Sequence, residues 1–137
     1  MRININKYLG KWHEIARINS FFQFRMKDVT AEYTMNDDGT ISVVNSGMID
    51  GEYKEIKGVA IATDNDDTLK VTFFPNVYSD YKILAIDKDY QYSLVGGKTS
   101  DYLWILSRSK TIPKLIFDKF IEIAKNKKYN VDKLIIT

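Results

Sequence analysis

A chain of 137 residues that is 45% hydrophobic and 13% aromatic can bury a sizeable core and is too apolar for disorder. Twenty basic against eighteen acidic side chains leave a formal net charge of +2, without the concentrated positive charge of a nucleic-acid binder. The absence of cysteine excludes a disulfide framework and a thiolate metal site, yet leaves the compartment open.

The length fits one domain over residues 1–137. No apolar run approaches the roughly 18 residues of a membrane-spanning helix, and residues 1–6 lack the apolar stretch of a secretory signal. Two locations stay open: the cell envelope (outer membrane or periplasm) if a leader was removed, and otherwise the cytoplasm.

The first strand signal is Gly10-Lys11-Trp12-His13-Glu14-Ile15-Ala16-Arg17. Alternation places Trp12, Glu14 and Ala16 on one face and Lys11, His13, Ile15 and Arg17 on the other. Tyr8 and Leu9, just before it, suit a plug for the floor of a closed sheet. Residues 18–26 are too irregular for a strand but carry Phe21, Phe22 and Phe24. Such a loop either folds over the core edge or forms a flap over a cavity.

Residues 29–35 alternate cleanly and run into the turn Asn36-Asp37-Asp38-Gly39. Strands are then predicted over 41–48, 52–63, 69–74, 80–87, 90–95 and 102–108. They are separated by Asp50-Gly51, Asp64 to Asp67, Pro75-Asn76, Asp87 to Asp89 and Gly96-Gly97. Eight short strands with turn residues between them describe an antiparallel meander. It closes most simply into an up-and-down barrel, which has no exposed edges and can hold one small ligand.

After Thr111, read as an N-cap, the period changes. Ile112, Ile116, Phe120, Ile123 and Ala124 recur at helical spacing, opposite Lys114, Asp118, Glu122 and Lys125. This predicts one amphipathic helix packed outside the barrel on Leu103 and Ile105. Residues 131–136 are predicted as a short final strand that pairs back onto the sheet. The fold class is therefore all-β: an eight-stranded antiparallel barrel, one C-terminal helix and a final strand.

Gly10 to Arg17, Ser79-Asp80-Tyr81 and Asp101 to Arg108 stand in the order of the three motifs of the lipocalins. The chain resembles that family over residues 8–136, most closely its bacterial lipocalin and apolipoprotein D branch. It departs from the lipidated bacterial members in having no cysteine. The resemblance implies structural roles for Gly10, Trp12, Asp80, Tyr81 and Arg108, with the Arg108 guanidinium across the Trp12 indole at the floor. It also implies a calyx that binds a hydrophobic small molecule such as a fatty acid or lysophospholipid.

Alternation, checked against those motifs, gives the expected lining of the cup. The first strand contributes Glu14 and Ala16, the next two Ala31, Tyr33, Val43 and Asn45. Ile56, Ala60, Val71, Phe73, Ile83 and Ala85 follow, then Tyr92, Leu94, Trp104 and Leu106. Phe21 and Phe22 are expected over the mouth. Alanines on several strands leave volume, and an apolar cavity with few polar groups suits a lipid-like ligand.

Catalytic candidates are few. The one histidine, His13, is expected to point outward; zinc sites and nucleophilic triads lack ingredients, and no phosphate loop is present. Glu14 with Tyr33 or Tyr92 is the one acid–base pairing available to an enzyme of this barrel class. A buried carboxylate must be paired, hydrogen-bonded or neutral. The reading is a binding protein with no cofactor and no metal. Contact of the phenylalanine loop with a membrane surface or a protein is the rival use of that loop, and monomer and homodimer both stay open.

Overall fold

Turn chemistry cuts the chain into strands within a few residues of where the alternation breaks. The computed structural model describes residues 2–18, 26–74 and 77–137, with only the backbone of Phe74. A single helical turn, α1 (Ile5–Tyr8), leads into β1 (Gly10–Ile18), β2 (Lys27–Met35), β3 (Ile41–Ile49) and β4 (Glu52–Ala62). There follow β5 (Thr68–Phe74), β6 (Val77–Ile86), β7 (Tyr92–Gly96) and β8 (Leu103–Ser107). Each strand pairs antiparallel with the next, and β1 pairs with both β8 and β2, which closes the barrel. Phe21, Phe22 and Phe24 lie outside the described residues.

The two-residue turn Asp50-Gly51 joins β3 to β4 with both φ angles positive, 51° and 82°. This is the conformation whose twist matches that of a hairpin. Turns 36–40, 63–67 and 87–91 gather at one end of the barrel with Gly10. The turn between β7 and β8 lies at the other end, which is the mouth.

After β8 the chain forms α2 (Lys114–Asn126), a 3₁₀ turn (Val131–Lys133) and β9 (Leu134–Ile136). Pro113, not Thr111, holds the N-cap position of α2. The Pro113 carbonyl accepts the Ile116 and Phe117 amides at 3.0 Å each, while the Thr111 carbonyl is engaged by the Ser107 and Ser109 hydroxyls. Only the lower half of β1 pairs with β2; the upper half pairs with β9 through Ala16, Arg17 and Ile18. The final strand thus covers backbone that β2 leaves unpaired, and the residues before it are a 3₁₀ turn rather than strand.

The described residues form two apolar cores. One lies inside the barrel around Trp12, Tyr33, Val43, Val71 and Leu106. The other lies outside, where Phe120 and Ala124 of α2 cover Ile15, Leu94, Leu103 and Ile105. Two irregularities decide which residues join which core. A bulge between Glu14 and Ala16 and another between Ile83 and Ala85 each place two consecutive residues toward the helix.

Strict alternation is overturned at these places. Ala16 turns outward beneath α2, and Arg17, expected outside, turns inward opposite Trp104. Ala85 also packs in the outer core, although Ile83 two residues earlier is in the inner one. In β7 the faces are reversed along the strand: Tyr92 and Leu94 face the helix, while Val95 lies in the barrel. Both faces of β7 are buried, so its periodicity does not tell inside from outside.

Candidate functional site

The closed end is built from the N-terminal segment. The Arg108 guanidinium carbon sits 3.8 Å from the centre of the Trp12 ring. Its nitrogens donate to the carbonyls of Lys7, Tyr8, Lys11 and Tyr90 at 2.9–3.2 Å. One planar cation thereby ties α1, the start of β1 and the turn before β7 together, a task that suits its fork of donors. Gly10 adopts φ +100°, and a Cβ there would come within 3.3 Å of the Arg108 guanidinium. The Trp12 indole N–H donates to the Tyr8 carbonyl at 2.9 Å. Gly10, Trp12 and Arg108 therefore make one structural unit.

Above Trp12 lies a chain of hydroxyls. Tyr33 donates to the Tyr81 oxygen at 2.9 Å, Tyr81 and Tyr8 share a bond of 2.7 Å, and Tyr8 and Ser93 one of 2.9 Å. Burial pushes the Tyr8 phenol up to about 12, and burial raises Tyr33 and Tyr81 as well. The consequence has a definite sign. These groups add stability in full below the ordinary phenol value near 10, and the addition is lost as pH rises through their raised values. In an alkaline titration followed by phenolate absorbance, at least these three of the nine tyrosines should stay protonated about one unit above that ordinary value. They should ionise only with unfolding; smooth titration of all nine in the folded protein would contradict the arrangement.

Between this chain and the mouth is a cavity of about 400 Å³. Its apolar walls come from Val29, Ala31, Val43, Val71, Phe73, Trp104 and Leu106, and Tyr33 and Tyr81 line its deep end. Near the mouth stand Tyr78, Lys98, Thr99 and Tyr102, and Lys70 pairs with Asp80 on neighbouring strands. Lys70 holds the Asp80 carboxyl below its ordinary value.

Of the expected lining, Glu14, Ala31, Tyr33, Val43, Asn45, Val71, Phe73, Trp104 and Leu106 border this cavity. Ala60 and Ile83 are buried in the inner core without bordering it, and half-buried Ile56 pairs with Asn45. Ala16, Ala85, Tyr92 and Leu94 belong to the outer core. Phe21 and Phe22 are outside the described residues. Sequence reasoning missed Val29, which shares the alternation of Ala31 and Tyr33, and Lys98, Thr99 and Tyr102, which no periodicity marks.

Glu14 is the buried carboxylate of the cavity wall. Its Oε2 accepts from the Arg17 guanidinium at 2.6 Å and from the Thr137 hydroxyl at 2.9 Å. Both side chains of the ion pair are 2% exposed, and Arg17 also donates to the Met26 carbonyl at 3.1 Å. Burial raises the Glu14 carboxyl, with Arg17 opposing it. The pairing of Glu14 with Tyr33 or Tyr92 that an enzyme of this barrel class would need does not form: Glu14's partners are Arg17 and Thr137, Tyr33 is bonded to Tyr81, and Tyr92 faces the helix. His13 is half-buried at the junction of β1 with Ser107 and Thr30, its imidazole lowered by burial and by Lys11 and Lys110.

A family described as a lipocalin-like domain matches residues 3–137. The outer membrane lipoprotein Blc of Vibrio cholerae is 42% identical over 136 residues, across 96% of this chain and 80% of that protein. Apolipoprotein D of Cavia porcellus is 30% identical over 145 residues, across 98% and 76%. Among solved structures, lobster apocrustacyanin A1 superposes with a TM-score of 0.81 at 21% identity, covering 98% of this chain and 78% of that one.

Proposed function

The chain belongs to the lipocalin-like family, and on that premise we propose that it binds a small hydrophobic ligand in the barrel, for storage or transport. A fatty acid or lysophospholipid has the right character. The observation that carries this reading is the unfilled cavity of about 400 Å³ with walls of valine, alanine, leucine and aromatic side chains. Pockets of this size and composition take up ligands mainly by removing apolar surface from water. Lys98 at the mouth supplies charge for an anionic head group.

We read the protein as a binder rather than an enzyme. The one buried carboxylate on the wall is committed to Arg17 and Thr137, which supports that choice. The Vibrio relative is named an outer membrane lipoprotein, and the cell envelope is the location we propose for this chain.

Titration with a fluorescent fatty acid should give saturable binding and quench Trp104, which borders the cavity, more than sealed Trp12. Ala31→Phe, which places a ring in that space, should weaken binding by about tenfold, equivalent to about 1.4 kcal/mol. No saturable binding by the unsubstituted protein would refute the reading.

A further inference from the structure

The hydroxyl chain at the deep end is more than a packing device, because its hydrogen-bonding capacity is not exhausted. Four hydroxyls, those of Tyr33, Tyr81, Tyr8 and Ser93, make three bonds among themselves. Each hydroxyl carries one proton and accepts at two lone pairs. Tyr33 spends its proton on Tyr81, and its oxygen accepts from no described residue, although the side chain borders the cavity. One proton of the four is also left over. When Ser93 donates to Tyr8 and Tyr8 to Tyr81, that proton is on Tyr81, the other member of the chain that borders the cavity.

We propose that this chain is a polar station for the leading end of the ligand, and that the ligand class is an apolar molecule with a neutral alcohol hydroxyl at that end. The proposal rests on the cavity reading above. An alcohol uses both free capacities at once, donating to the Tyr33 oxygen and accepting from Tyr81. A carbonyl uses one and a methyl neither. A carboxylate is disfavoured, because the four groups of the chain are neutral and Arg108, the cation of the closed end, is turned to the backbone carbonyls beyond Trp12. Of the lysines bordering the cavity, Lys70 is paired with Asp80, and Lys98 stands near the mouth. The ligand would therefore lie with its charged end at the mouth and its hydroxyl on the tyrosines.

The test compares an ω-hydroxy fatty acid with the plain fatty acid of equal chain length, each titrated into the full chain. One added net hydrogen bond should make the hydroxy acid bind about fivefold more tightly. In the Tyr33→Phe/Tyr81→Phe double variant the ratio of the two affinities should fall to about one. This ratio is read within one folded sample and is unaffected by any loss of active protein. If the double variant does not fold, the same ratio is measured in each single variant, where it should also fall. Equal affinity of both acids for the unsubstituted protein, or a preference that survives the substitutions, overturns the proposal and leaves the cavity reading standing. Failure of both acids to bind overturns the two together.

Discussion

Replacing Arg17 by methionine should cost about 3–5 kcal/mol of folding stability at neutral pH, the usual consequence of stripping a buried charge of its partner. Arg17 and Glu14 meet at 2.6 Å with both side chains nearly sealed from water. Methionine occupies similar volume but leaves the Glu14 carboxylate in an apolar wall with the Thr137 hydroxyl as its remaining partner. The lost stability is therefore expected to return as the carboxyl takes up a proton.

The sign follows from the direction of the shift. Burial raises the Glu14 carboxyl in the folded protein even with Arg17 present. A raised value means that the folded state holds its proton more tightly than the unfolded chain. The resulting stabilisation is full below the ordinary carboxylate range and is lost as pH rises through the raised value. Without Arg17 the rise is larger, so the window should extend toward neutrality. Urea denaturation of Arg17→Met at two pH values should show the deficit shrinking on acidification. The double variant Glu14→Gln/Arg17→Met, which buries no charge, should recover most of it. A loss below about 1 kcal/mol at neutral pH, or a deficit indifferent to pH, would contradict the pairing.

Trp12→Ala should be comparably severe, about 3–5 kcal/mol, because a fully buried indole leaves a cavity that its surroundings refill only in part. Trp12 is 0% exposed and packs against both the Arg108 guanidinium and the Tyr8 ring, whose centre is 5.0 Å away and whose plane is tilted by 34°. Its removal takes away the face on which the cation lies, the indole donor to the Tyr8 carbonyl and the floor beneath the hydroxyl chain. Arg108→Lys should cost less, about 1–3 kcal/mol, since a lysine keeps the charge but cannot serve four carbonyls from one plane. Thermal unfolding of the two variants should rank them in that order. A tryptophan variant as stable as the parent would mean that the floor is not held as described.

Much of this was legible in the residues. The order of strands, the closing of the barrel and the outer helix followed from alternation and turn residues, and the Trp12–Arg108 unit from the resemblance to the lipocalins. Alternation also brought Glu14, Ala31, Tyr33, Val43, Asn45, Val71, Phe73, Trp104 and Leu106 to the cavity, because each of those strands keeps its period where it faces the interior.

What the chain determines by itself is local: period, turn and cap are set within a few residues of each other. What only the tertiary structure decided is which side of the wall a residue serves once α2 covers part of the barrel's outer surface. A bulge at one residue reverses every face beyond it, so Ala16 and Arg17 exchanged sides. Tyr92 and Leu94 went to the helix because an apolar side chain gains equally from either core. The hydroxyl chain was equally unreadable, since Tyr8, Tyr33, Tyr81 and Ser93 come from four separate elements and their oxygens meet only when the sheet closes.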